Sequence, residues 1–133
     1  MQITRQADYA IRAVRYLATQ GPSARVATST VAKEMQIPPS FLAKIISQLS
    51  IAGLLHTSRG ARGGVTLARE AKDISLLDVV EAIDGPIMLN QCVGNLDDCP
   101  FIDDCLVHPI WMETQKQLVS RLRDVKFDRL YRR

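Results

Sequence analysis

Residues 28–68, TSTVAKEMQIPPSFLAKIISQLSIAGLLHTSRGARGGVTLA, carry the reading that decides the fold. Val31, Ala32 and Met35 fall on one face of a short helix that opens at Thr28 or Ser29. It must stop at Pro38-Pro39, because proline has no amide hydrogen and its ring collides with the preceding turn. Ser40 is placed to cap a second helix in which Leu42, Ile45, Ile46, Leu49 and Ile51 recur at three- and four-residue steps, with Gly53 as its C-terminal stop. Two helices with so tight a joint predict a helix-turn-helix. Leu54–Ser58, the run Arg59-Gly60-Ala61-Arg62-Gly63-Gly64 and Val65–Ala68 then read as strand, glycine-rich turn and strand. A hairpin directly after a helix-turn-helix is a wing.

Working outward, Thr4 is a candidate N-cap for a helix that places Tyr9, Ala10, Ala13, Val14 and Leu17 on one face, and Gly21-Pro22 ends it. Beyond the wing, Asp73 or Ser75 caps ISLLDVVEAID, which turns Ile74, Leu77, Val80 and Ile83 inward before Gly85-Pro86. Residues 85–108 lack periodicity and are expected to form a loop. After Pro109, a favourable first helical residue, Ile110, Trp111, Thr114, Leu118, Leu122 and Val125 mark a helix of about four turns. The expected fold is mainly α with a small β-wing. It divides into a winged helix-turn-helix with its following helix (1–84), a cysteine-bearing loop (85–108) and a long helix with a tail (109–133).

The chain has 133 residues, 47% hydrophobic and 23% charged, the ordinary composition of one globular domain. No apolar run approaches the ~20 residues a bilayer demands, and MQITRQADYA lacks the apolar centre of a secretory signal. A cytoplasmic protein without a membrane partner is expected. The net charge of +3 conceals a strong segregation. Residues 1–69 carry nine Lys/Arg against Asp8 and Glu34; residues 70–113 carry Lys72 against ten acidic residues; residues 114–133 carry seven basic against two acidic. The basic first block suits a polyanion.

In a helix-turn-helix the second helix enters the major groove, so its outward residues Ser40, Ala43, Lys44, Ser47 and Gln48 are the candidate DNA contacts. Ser and Gln can hydrogen-bond base edges, Lys44 can meet a phosphate or a guanine, and Ala43 offers only apolar contact with a thymine methyl. Arg59 and Arg62, on the glycine-rich wing tip, suit a minor groove. Arg5, Arg12 and Arg15 on the first helix are further phosphate candidates. Taken singly, each arginine is an ordinary solvated side chain; the architecture and the basic block together favour double-stranded DNA.

All three cysteines, Cys92, Cys99 and Cys105, lie within the acidic segment, and His108 follows the last of them. Thiolates and imidazole are donors for zinc or an iron–sulfur cluster. No C-x2–4-C pair of the kind structural zinc sites use is present. Asp97, Asp98, Asp103 and Asp104 crowd the loop, and their negative charge favours a bound cation over free thiolates. A zinc or cysteine-thiol redox switch is the competing reading. A small redox enzyme is a more remote one, since neither C-x-x-C nor a nucleophile motif occurs. A winged helix used for protein contact is another.

Four features together, MQIT-x4-YAIRA, Pro39-Ser40-Phe41-Leu42, Gly53-Leu54-Leu55 leading to the Arg59–Gly64 run, and three cysteines ahead of a long helix, resemble the family of winged-helix iron–sulfur regulators that includes IscR, NsrR, RirA and the cluster-free CymR. The resemblance spans essentially the whole chain. It implies a homodimeric transcription factor, long C-terminal helices that cross in the dimer, a palindromic operator, and a cluster sensing iron, redox or nitric oxide status. Cys92, Cys99 and Cys105 match its three cysteine ligands. IscR-like members use a histidine three residues after the last cysteine, which matches His108 and implies [2Fe-2S], the favoured assignment. NsrR-like members use an aspartate from the partner's first helix, which matches Asp8 and implies [4Fe-4S]. The chain departs from the IscR pattern in two places: the Cys92–Cys99 gap is one residue longer, and Ala43 stands where IscR has a base-reading glutamate.

Overall fold

The computed structural model describes residues 2–60, 63–94 and 99–132. Helix α1 (Arg5–Thr19) opens as expected, the Thr4 side chain accepting from the Ala7 amide, and it buries Ala7, Ala10, Ala13, Val14, Leu17 and Ala18. Helices α2 (Thr28–Met35) and α3 (Pro39–Ile51) form the helix-turn-helix. Their joint is built on Gln36 in the left-handed region (φ 53°), with the Ile37 amide returning to Ala32 O at 2.9 Å and the Ile37 side chain buried. This closure satisfies carbonyls that the end of α2 would otherwise leave orphaned. Gly53 (φ 78°) closes α3 in the same way, and the Leu54 amide reaches Leu49 O at 2.9 Å.

Helix α2 opens at Thr28 as expected, after Ala27, which offers no capping side chain. Two local expectations need correction. The N-cap of α3 is Pro38, so Ser40 lies inside the first turn, the paired prolines having already preset the helix entry. Ile51 is 85% exposed, because α3 ends at it and the chain turns away.

The wing is the antiparallel pair β1 (Leu55–Ser58) and β2 (Gly64–Leu67), with Leu55 opposite Leu67 and Ser58 opposite Gly64. Val26, on the segment before α2, adds a bridge to Val65 through two backbone hydrogen bonds of 2.8 and 3.0 Å, which ties the wing base to the helices. Helix α4 (Leu76–Asp84) starts with a capping box in which Ser75 and Asp78 each bind the other's backbone amide. It packs on α1, α3 and a long helix further on.

The segment expected to be a loop contains a one-turn helix, α5 (Gln91–Gly94), and a 3₁₀ turn at Ile102–Asp104. Helix α6 (His108–Asp124) follows and packs its Leu118, Val119 and Leu122 against Leu77, Val80 and Ile87. It has no buried residue of its own, and Ile110, Trp111 and Met112 are exposed. The tail then returns to the head: Leu76 N donates to Val125 O at 2.8 Å, Phe127 N to Ile74 O at 3.0 Å, and Phe127 lies fully buried in the main core. Among the described residues no helix is long and apolar enough to cross a membrane.

Candidate functional site

The outer face of α3 follows from its inner one. With Leu42, Ile45, Ile46 and Leu49 buried, the residues between them, Ser40, Ala43, Lys44 and Ser47, are exposed at helical spacing. Gln48 sits at the edge of this face, half-buried, and its Oε1 has no hydrogen-bond partner. Four of the five expected α3 contacts are therefore presented to a ligand, and the fifth has an unsatisfied acceptor. Tyr9 and Phe41 pack at 6.2 Å between centroids, which ties α1 to the start of α3.

The wing carries Arg59 into solvent next to Gly60 (φ 95°), and the Gly63 amide closes the turn on Gly60 O at 2.9 Å. A Cβ at position 63 would stand 2.5 Å from Ser58 O. The backbone thus comes within a distance only glycine permits. Arg62 lies outside the described residues.

The first-helix arginines divide in a way the sequence does not reveal. Arg12 donates to Met35 O at 2.9 Å, pairs with Asp8 at 3.2 Å and lies over the Tyr9 ring at 5.2 Å. Arg15 donates to Leu130 O at 2.8 Å on the returning tail. Both hold the fold together. Arg5 is exposed at the start of α1.

Cys92 lies on α5, Cys99 ahead of the 3₁₀ turn and Cys105 after it; all are free thiols and half-buried. His108 is the first residue of α6, and its amide donates to Cys105 Sγ at 3.3 Å. Its Nδ1 is buried without a partner. Asn90 Nδ2 approaches Cys92 Sγ at 3.7 Å. Asp8 is exposed on α1 and engaged with Arg12. Among the described residues, no three His, Cys, Asp or Glu side chains come together as a metal-binding group. Cys105 and His108 are neighbours, whereas Cys92, Cys99 and Asp8 are not gathered with them; Asp97 and Asp98 lie outside the described residues. The donor types fit an iron–sulfur cluster, and the orphaned Nδ1 is a buried nitrogen in need of a partner.

A profile of the Rrf2 family, described as an iron-dependent transcriptional regulator, matches residues 3–133. The chain belongs to the Rrf2 family. It is 37% identical over 108 residues to protein aau3 of Rhizobium meliloti, covering 79% of this chain and 68% of that one. It is 30% identical over 130 residues to the HTH-type transcriptional regulator IscR of Vibrio atlanticus, covering 98% and 75%. Across further relatives the match spans 62% to 80% of the relative's own length. The structure of CymR, the global cysteine regulator of B. subtilis, superposes with a TM-score of 0.80 at 22% identity, covering 98% of this chain and 95% of that one. At that identity the likeness establishes the winged-helix fold. This Rrf2 chain is a DNA-binding transcriptional regulator and not an enzyme.

Proposed function

We propose that this Rrf2 regulator binds a palindromic operator as a homodimer, and that an iron–sulfur cluster on the Cys92–His108 segment sets its affinity. The observation that carries the reading is the first turn of α6, where the His108 amide holds Cys105 Sγ and the buried His108 Nδ1 lacks a partner. Cys92, Cys99, Cys105 and His108 would hold the cluster, with [2Fe-2S] favoured. Asp8 of the partner subunit is the alternative fourth ligand, for [4Fe-4S]. When bound, the cluster supplies a centre that responds to iron supply, oxidation or nitric oxide.

The remaining work falls to the chain. Ser40, Lys44, Ser47 and Gln48 meet base edges and phosphates, Ala43 meets a thymine methyl, and Arg59 and Arg62 reach the neighbouring minor groove. The exposed Ile110, Trp111 and Met112 on α6 form the surface for a second copy. His108 begins a helix of 17 residues, about 25 Å long, whose far end continues into the buried Phe127. A displacement at Cys105 and His108 therefore reaches the head through a single rigid element.

The test uses duplexes selected from a randomised pool by anaerobically purified protein, titrated by fluorescence anisotropy with coloured and chelator-stripped samples. A coupling of about 1–3 kcal/mol changes affinity roughly 5- to 150-fold. Equal affinities refute the switch. A second reading, a thiol switch without a cluster, is favoured by the three free cysteines that the described structure leaves ungathered. It predicts colourless, iron-free protein after reconstitution, with operator affinity that changes on mild oxidation.

A further inference from the structure

One polar side chain on α6 does more than its place in the sequence suggests. Gln115 accepts from the Leu89 amide at 2.9 Å and donates through Nε2 to the carbonyl of Ile87. A single amide thus satisfies both a donor and an acceptor of the segment that leads into α5. Ile87 is buried beside Leu118 and Leu122 on the same helix. Between the two clamped groups, the sulfur of Met88 occupies the place a side chain on Gly94 would take, so the clamped segment also lies against α5. Helix α5 carries Cys92, and the Asn90 side chain accepts from Gln91 N at 2.9 Å while approaching Cys92 Sγ. Gln115 stands seven residues after His108, two turns along the same helical face.

We infer that Gln115 is the positioning residue that fixes Cys92 relative to the Cys105–His108 pair, so that one rigid helix, holding the pair at its start and the Cys92 segment at its middle, sets their spacing. The inference rests on the proposed role of those cysteines as ligands. It names a residue that touches no ligand atom and acts through the Ile87–Leu89 backbone. Metal uptake depends on it because Gln115 holds the Cys92 segment against the helix that begins at His108, which leaves less of the chain to be ordered when the thiols close on a cation.

The experiment is an anaerobic titration of reduced full-length protein with Co²⁺, following the thiolate-to-metal charge-transfer absorbance, for wild type, Gln115→Met and Gln115→Glu. Methionine keeps the length and removes both hydrogen bonds; glutamate keeps the acceptor for the Leu89 amide. Loss of such a supporting partner weakens metal binding roughly 10- to 100-fold, so Gln115→Met is expected in that range and Gln115→Glu between it and wild type. Amide exchange at Leu89 accelerates in Gln115→Met and stays slow in Gln115→Glu. In a Cys92→Ser background, Gln115→Met adds no further loss. Equal Co²⁺ affinity for wild type and Gln115→Met overturns the inference and leaves the ligand assignment standing. An additive loss in the Cys92→Ser background overturns it too, since the effect then passes through something other than Cys92. Absence of a thiolate band in wild type removes the inference and the ligand assignment together. Unchanged DNA binding by the metal-free variants shows that the head remains folded.

Discussion

Replacing Phe127 by alanine should damage the protein more than any other change in the C-terminal fifth of the chain. Phe127 is fully buried in the main core, although it lies on a three-residue 3₁₀ turn, Phe127–Arg129, after the last helix. Removing the ring forfeits about 2–3 kcal/mol of apolar transfer energy. The cavity left in a packed interior brings the usual total for such a truncation to about 3–5 kcal/mol. The Val125–Ile74 segment pairing cannot offset this, because its two backbone hydrogen bonds, 2.8 and 3.0 Å, survive only if the tail stays docked. For a domain of this size each kcal/mol moves the melting temperature by a few degrees, so a drop of roughly 10 °C or more is expected. The assay is guanidinium denaturation of reduced, metal-free protein at one fixed concentration, since association with a second copy would itself raise apparent stability. Phe127→Leu, which refills most of the space, should lose under about 1.5 kcal/mol. A loss below about 1 kcal/mol for Phe127→Ala would show that the tail does not contribute to the core, and the mechanical link from α6 to the head would fall with it.

Two further outcomes follow from the same geometry. Lys44→Ala and Arg59→Ala each remove an exposed cation from the proposed DNA face, so each should weaken binding to all duplexes and lower the salt-dependence slope by about 1. An unchanged slope places that side chain away from phosphate. Ser75→Ala removes one half of the α4 capping box from a buried position. It should cost about 1–2 kcal/mol by thermal melting, and a change under about 0.3 kcal/mol would mean that water replaces the cap.

The helix-turn-helix and wing were legible in the sequence because their signals are local. Pro38-Pro39, Gly53 and the glycine-rich tip act on their own backbone, and the buried stripe of α3 repeats at helical period over enough turns to be counted. The Ser75–Asp78 box was half legible: Ser75 was one of two cap candidates. The returning tail was not, since nothing in the sequence around Phe127 says that its partner is Ile74, some fifty residues away. The roles of Arg12 and Arg15 were hidden for the same reason. A basic residue on a helix reads as a solvated charge or a phosphate contact, yet here both donate to main-chain carbonyls of distant segments. Trp111 and Ile110 were periodic as expected but face outward, because periodicity identifies an apolar face without saying whether the same chain or another copy covers it. For the cysteine segment, residue types disclosed the candidate donors, whereas the clamp of Gln115 on the Ile87–Leu89 backbone joins segments far apart in sequence and leaves no local signal.

The wing tip has a bearing on how regulators of this type can diverge. Ser58 faces Gly64 across the ladder, Val26 locks the adjacent Val65, and a side chain at position 63 would strike Ser58 O. The described part of the wing is therefore intolerant of a bulkier residue at its closing glycine, Gly63. The outer face of α3 is under no such constraint: Ser40, Ala43, Lys44 and Ser47 can be exchanged without disturbing the buried stripe behind them. If the proposed DNA face is right, new operator preferences should accumulate by substitution at those four positions, while the wing keeps its closing glycine.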